Sequence, residues 1–134
     1  MEFIEPYKIT VLVLGLSGLT FFIQLVVLDV VGFKNNHTPG HPIPASHNEL
    51  LFRASRALSN SNESVAIFIL FVAFSILSSA NPQWLNTSAL VYLFARIAHM
   101  LFYYFNLKLL RSISFAVSLF GLMAIFIVGV LAWL

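Results

Sequence analysis

The chain has 134 residues, of which 60% are hydrophobic and 9% charged, with a mean hydropathy of +0.93. A soluble domain carries roughly 25% charged residues, so this composition excludes a soluble globule and indicates an integral membrane protein of one domain. A net charge of +2 offers too little basic surface for nucleic acid, and the absence of cysteine excludes disulfides, a cysteine nucleophile and thiolate metal sites.

The first predicted helix runs over about 7–31. Met1–Pro6 carries Glu2 and Glu5 and no basic run, and Ile9–Val31 is too long for a signal-peptide core, so this segment reads as a true span. Gln24 and Asp29 lie on it, and Gly15 and Gly18 are small-residue contact points. Gly32 to His47 is a loop, broken by Asn35-Asn36, Pro39-Gly40, Pro42 and Pro44. Its histidines, His37, His41 and His47, have no acidic ligand set at a recognised spacing and are expected to be solvated, with no metal.

The second helix is expected over about 49–79, with Ser46 or Asn48 as N-cap and Glu49 in the first turn. Its apolar block, Val65–Leu77, has 13 residues, short of the ~20 needed to cross a bilayer. The crossing must therefore start near Ser59 and take Asn60 and Glu63 to hydrocarbon depth. At about 100° per residue, Arg53, Arg56, Asn60 and Glu63 share one face. Ala80-Asn81-Pro82 ends the helix.

The third helix is expected over about 84–107, with Trp84 at interface height. Arg96, His99, Tyr103 and Asn106 recur along it at helical spacing. A tight turn leads to the fourth helix, about 112–133, capped by Ser112 or Ser114. The matches to the glycosylation pattern at Asn36, Asn62 and Asn86 are taken as chance.

Lys34, Arg53, Arg56, Lys108 and Arg111 flank one pair of loops and Lys8 alone the other end. The positive-inside rule places those loops in the cytoplasm and both termini outside. The minimal loops suit a bacterial inner membrane.

An Arg within a span costs about 3 kcal/mol on insertion scales, so both stripes must face protein or a watered cavity. Arg56 and Arg96 have one nearby carboxylate, Glu63, with Asp29 as a second candidate, and Arg111 stands at the mouth. The excess positive charge asks for an anionic guest, and the guanidinium fork suits a carboxylate. Arg56 to Glu63 spans about 10 Å of helix, a length for an elongated polar ligand. The alternative is that these residues merely pin the helices together.

The string Arg56-Ala-x-x-Asn60-x-x-Glu63, then Tyr92-Leu-Phe-Ala-Arg96-x-x-His99-x-x-x-Tyr103, then Arg111-Ser112, resembles the MAPEG family, the membrane-associated proteins in eicosanoid and glutathione metabolism. That family includes microsomal glutathione transferases, and the resemblance covers nearly the whole chain. It implies an all-α four-helix transmembrane bundle, assembled as a homotrimer, that binds glutathione between subunits. Arg56, Asn60, Glu63, Arg96, His99 and Tyr103 would hold the tripeptide, with Arg53 a turn beyond. Arg111 and Ser112 would stand by the sulfur as catalytic residues, and a lipophilic electrophile or hydroperoxide would arrive from the lipid bilayer. Ser59 stands where some members carry a further Arg, and Lys34 where many have an Arg. The competing readings are a non-catalytic lipid-binding scaffold of the same fold and a small transporter. The latter is disfavoured by unbroken helices and the lack of an acidic relay.

Overall fold

The computed structural model describes residues 2–134, and its regular elements are all helical. A 3-10 turn at Glu5–Tyr7 leads into four helices: α1 Lys8–Lys34, α2 Leu50–Leu77, α3 Pro82–Tyr104 and α4 Lys108–Leu131. Each is long and apolar enough to cross a membrane, which makes the protein an integral multi-pass membrane protein. The outward faces are largely apolar, including Phe22, Leu70, Phe94 and Phe120.

The ends of the helices follow from local chemistry. The first three close in the same way, on a residue with a left-handed backbone: Asn36 (φ 52°), Ser79 (φ 54°) and Asn106 (φ 57°). In each case the next amide reaches back to a carbonyl one turn inside: His37 N to Gly32 O at 3.0 Å, Ala80 N to Ser75 O at 3.0 Å, Leu107 N to Phe102 O at 2.8 Å. This is the Schellman closure, which satisfies otherwise orphaned carbonyls. Asn106 therefore belongs to a turn and not to the α3 stripe.

The expected boundaries shift accordingly. With α3 closed by Asn106, α4 begins at Lys108, a turn earlier than expected. Ser112 and Ser114 lie inside it rather than capping it. They bond back to the carbonyls of Lys108 (3.4 Å) and Arg111 (3.0 Å). α3 begins at Pro82 because Asn81 caps it, its Oδ1 accepting from the amides of Gln83 (3.1 Å) and Trp84 (3.2 Å), while proline at the first helical position needs no partner. Glu49, with extended backbone, is the cap residue of α2, so neither Ser46 nor Asn48 fills that role.

At the short-turn end, the chain is held by polar bonds that link distant segments. Tyr7 Oη donates to Ala80 O at 2.7 Å. Asn86 Oδ1 accepts from both Thr10 N (3.0 Å) and Thr10 Oγ1 (2.7 Å), and its Nδ2 donates to Pro6 O at 3.0 Å. Ser75 Oγ donates to Ile125 O at 2.8 Å, tying α2 to α4. Between these bonds sits the apolar core: Val13, Phe68, Val72, Leu85, Ala89, Leu122 and Ile125. Tyr92 stacks on Phe68 with centroids 4.3 Å apart, and its hydroxyl lies 3.2 Å from Ser64 Oγ. Toward the loop end the buried residues turn polar: Gln24, Ser61, Ser64, Arg96 and His99.

α3 and α4 form the closest-packed pair. A Cβ on Gly121 would stand 3.1 Å from the backbone nitrogen and 3.2 Å from the Cα of Tyr92. A side chain here would have to push the α3 backbone away by a few tenths of an ångström or more. Gly121→Leu is therefore expected to lower thermal stability in detergent by an amount corresponding to about 1–3 kcal/mol. Gly15→Ala, where a Cβ meets nothing within 4 Å, should cause no loss. Equal midpoints for the two variants would show that the α3–α4 contact does not limit stability.

Candidate functional site

The site starts from a cation inside the bundle. Arg96 is 5% exposed. Its Nη1 donates to Asn60 Oδ1 at 2.9 Å and its Nη2 to Ser61 Oγ at 3.0 Å. The guanidinium is thus held by neutral dipoles of α2 rather than by a carboxylate. Among the described residues the sole ion pair is Lys8–Glu5, at the opposite end of the molecule. An arginine has five N–H donors, so two bonds leave donor capacity and a whole positive charge in place.

One turn further along α3, His99 is 3% exposed and its Nδ1 has no hydrogen-bond partner. Tyr103 packs edge-on against His99 with centroids 5.0 Å apart. The short α3–α4 connection then brings Arg111, in the first turn of α4, back over α3. Its guanidinium carbon lies 4.3 Å from the centre of the Tyr103 ring, a cation–π contact. Arg111 Nη1 is 3.3 Å from His47 Nδ1.

These side chains bound a cleft of about 260 Å³ lined by His47, Asn60, His99, Tyr103, Arg111, Ser112 and Phe115. Five residues singled out from the sequence, Asn60, His99, Tyr103, Arg111 and Ser112, thus meet in one place, with Arg96 directly behind Asn60. Ser112 stands in the second turn of α4, beyond the helix terminus where its hydroxyl was expected.

The α2 stripe divides. The face that α2 buries is Ala54, Ala57, Ser61, Ser64 and Phe68. The Arg53–Arg56–Asn60–Glu63 stripe lies about 100° away around the axis. Only Asn60, at the border, reaches the cleft. Arg56 and Glu63 are exposed on the outer side, so the expected joint facing of Arg56, Arg96 and Glu63 is not formed within one chain. Arg53 lies outside the cleft, and its Nη1 donates to the carbonyls of His47 (2.6 Å) and Asn48 (2.9 Å). Asp29, the second candidate carboxylate, lines a separate cleft between the end of α1 and the loop.

Sequence reasoning missed three contributors. Ser61 was legible as part of a small-residue stripe, Ala54-x-x-Ala57-x-x-x-Ser61, of the kind that packs helices in membranes. Phe115 follows Arg111 by one helical turn. His47 had no sequence signal, because its position depends on how the loop folds back. It is exposed, as expected, and the Arg111 contact holds it at the cleft mouth. Burial pushes its pKa below the usual imidazole value, and the positive charges of Arg111, Lys108, Arg53 and Arg56 push in the same direction. The neutral imidazole is therefore favoured.

Electrostatics around the mouth are costly for the fold. Lys108 and Arg111 occupy the first turn of α4 with no acidic residue there, although cations near a helix N-terminus lose about 0.3–1 kcal/mol each against the macrodipole. Concentrating unpaired cations in this way favours an anion at the cleft.

The family model described as "MAPEG family" matches residues 9–131. No curated protein matches the chain.

The Arg96–Asn60 bond is testable as a coupling. Arg96→Lys keeps the charge but loses the fork, and Asn60→Ala removes the acceptor. A double-mutant cycle on unfolding in detergent should give an interaction energy of about 1–3 kcal/mol. Additive effects would show that the bond contributes nothing to the bundle.

Proposed function

The chain belongs to the MAPEG family, and we propose that it is a glutathione-dependent transferase or peroxidase acting on lipophilic electrophiles within the membrane. The observation that carries this reading is the Arg111 guanidinium, held over Tyr103 and facing a polar cleft in an otherwise apolar bundle. The fit to glutathione rests on the donor set. The tripeptide carries two carboxylates, and the cleft region carries Arg96, Arg111 and, on the adjoining outer face, Arg56, none of them paired with a protein carboxylate. His99 adds its ring to the cleft wall, with Nδ1 buried and unpartnered behind it.

Glutathione, when bound, supplies the sulfur nucleophile. The residues of the chain do the rest. Arg111 stabilises negative charge on the sulfur, which lowers the thiol pKa and raises the thiolate fraction at neutral pH. Ser112, beside it on α4, is placed to add a hydrogen bond. Tyr103 holds the Arg111 guanidinium in orientation through its ring face. Asn60 and Arg96, fixed to one another, offer donors to the peptide backbone and carboxylates. His99 fills the wall between them. Arg53 is assigned to the loop rather than to the ligand.

Arg56 and Glu63 require a second copy of the chain. Exposed on the outer side of α2, Arg56 at the interface and Glu63 at hydrocarbon depth, they form a stripe too polar to face lipid. A homotrimer in which the neighbouring subunit covers this stripe would bring them to the same ligand, Arg56 toward a carboxylate and Glu63 toward the ammonium. The lipophilic substrate reaches the sulfur from the bilayer. The basic end of the bundle faces the cytoplasm, with both termini outside, in a bacterial inner membrane.

Replacing Arg111 by leucine tests the assignment. Wild-type protein in detergent should show thiolate absorbance on adding glutathione at neutral pH, and Arg111→Leu should lose it and at least about tenfold of the turnover on an electrophile panel, the equivalent of one pKa unit. Undiminished thiolate and turnover in that variant would remove Arg111 from the chemistry. Glutathione-independent lipid occupancy without turnover would instead favour a non-catalytic lipid-binding protein.

A further inference from the structure

Resting on the glutathione reading, we propose that His47 is a positioning residue for Arg111: its neutral imidazole accepts a hydrogen bond at Nδ1 from Arg111 Nη1 and latches the loop between α1 and α2 over the mouth of the cleft.

Three independent contacts fix His47 in that place. Arg111 Nη1 lies 3.3 Å from its Nδ1. The backbone is clamped from α2, where Arg53 Nη1 donates to both His47 O and Asn48 O. The ring packs edge-on against Phe52 with centroids 5.0 Å apart. His37 and His41, on the same loop, are directed to a different cleft, beside Asp29. Among the three loop histidines, His47 alone lines the site.

The chemistry of the contact is one-directional. A guanidinium can only donate, so the bond exists only while Nδ1 carries a lone pair, with the ring proton on Nε2. Protonation converts the acceptor into a second cation facing Arg111. The groups around the ring offer no compensation. Arg53 and Arg56 approach from α2 and Lys108 and Arg111 from α4, all positive. The folded state therefore disfavours the proton. By linkage, the docked loop is most stable above the ordinary imidazole range and loses that stability as pH falls toward the lowered value. Loss of the contact frees Arg111 to leave the Tyr103 ring and opens the cleft to water. The bond thus couples the loop to the orientation of the guanidinium beside the sulfur.

Two measurements on the full-length protein decide the question. The first is hydrogen–deuterium exchange of residues 37–48, corrected for the intrinsic pH dependence of exchange and made without ligand. In the wild type, protection of this segment should fall by about tenfold on moving from pH 8 to pH 5, the scale of one lost hydrogen bond to a charged group. His47→Gln, which keeps an acceptor that does not titrate, should keep its protection across the range, and His47→Leu should be unprotected throughout. The second is binding of an S-alkyl glutathione, which has no thiol to titrate. Affinity should fall with acid in the wild type, stay level in His47→Gln, and be low at all pH values in His47→Leu. A wild-type pH profile retained in His47→Gln, or full protection of the loop in His47→Leu, would overturn the latch. Failure of the wild type to bind the S-alkyl compound at any pH would defeat the glutathione reading, and the exchange data would still decide the latch.

Discussion

A guanidinium inside a membrane bundle must have its donors met, and Arg96 sets the terms on which the loop-end half of this protein is built. Its partners are the side chains of Asn60 and Ser61, which draw α2 against α3 at that level. Because both partners are neutral, the bond solvates the charge without cancelling it. The bundle thus divides along its length. An apolar core around Phe68, Tyr92 and Ile125 serves the short-turn end, and a polar, positively charged interior serves the loop end.

The second constraint is the α3–α4 hairpin. A left-handed Asn106 closes α3 within three residues of the next helix, and Gly121 allows the two axes to approach. Together they return Arg111 over Tyr103, in the last turn of α3. Had α4 begun at Ser112, Arg111 would be a loop residue with a free side chain. Starting at Lys108, the helix fixes its position, at the expense of placing cations against a helix N-terminus. The arrangement makes sense where an anion is to be bound, and the proposed glutathione site rests on it.

Much of this was legible in the sequence. Four apolar segments, the basic ends and the α3 pattern Arg96–His99–Tyr103 follow from composition and helical spacing, because the side chains of a membrane helix are sorted by a single solvent. The rotation of α2 was not legible in the same way. Periodicity groups Arg53, Arg56, Asn60 and Glu63 on one face, but does not say which neighbour that face meets. The alanine and serine stripe beside it wins the contact with α3, since small residues let backbones approach. The polar stripe is left outward, where the proposed trimer would cover it. The helix ends were displaced for a related reason: Asn106 and Asn81 act through backbone geometry, which hydropathy does not register. His47 was out of reach altogether, being placed by tertiary contacts with Arg53, Phe52 and Arg111.

The central claim is that this cationic cleft binds glutathione and holds its sulfur as the anion. Calorimetric titration of the detergent-purified protein with glutathione near neutral pH, repeated in buffers of different ionisation enthalpy, counts the protons released on binding. The account predicts saturable binding with release of about one proton per site as the thiol ionises. Binding with no proton released, or no binding heat at all, would contradict it.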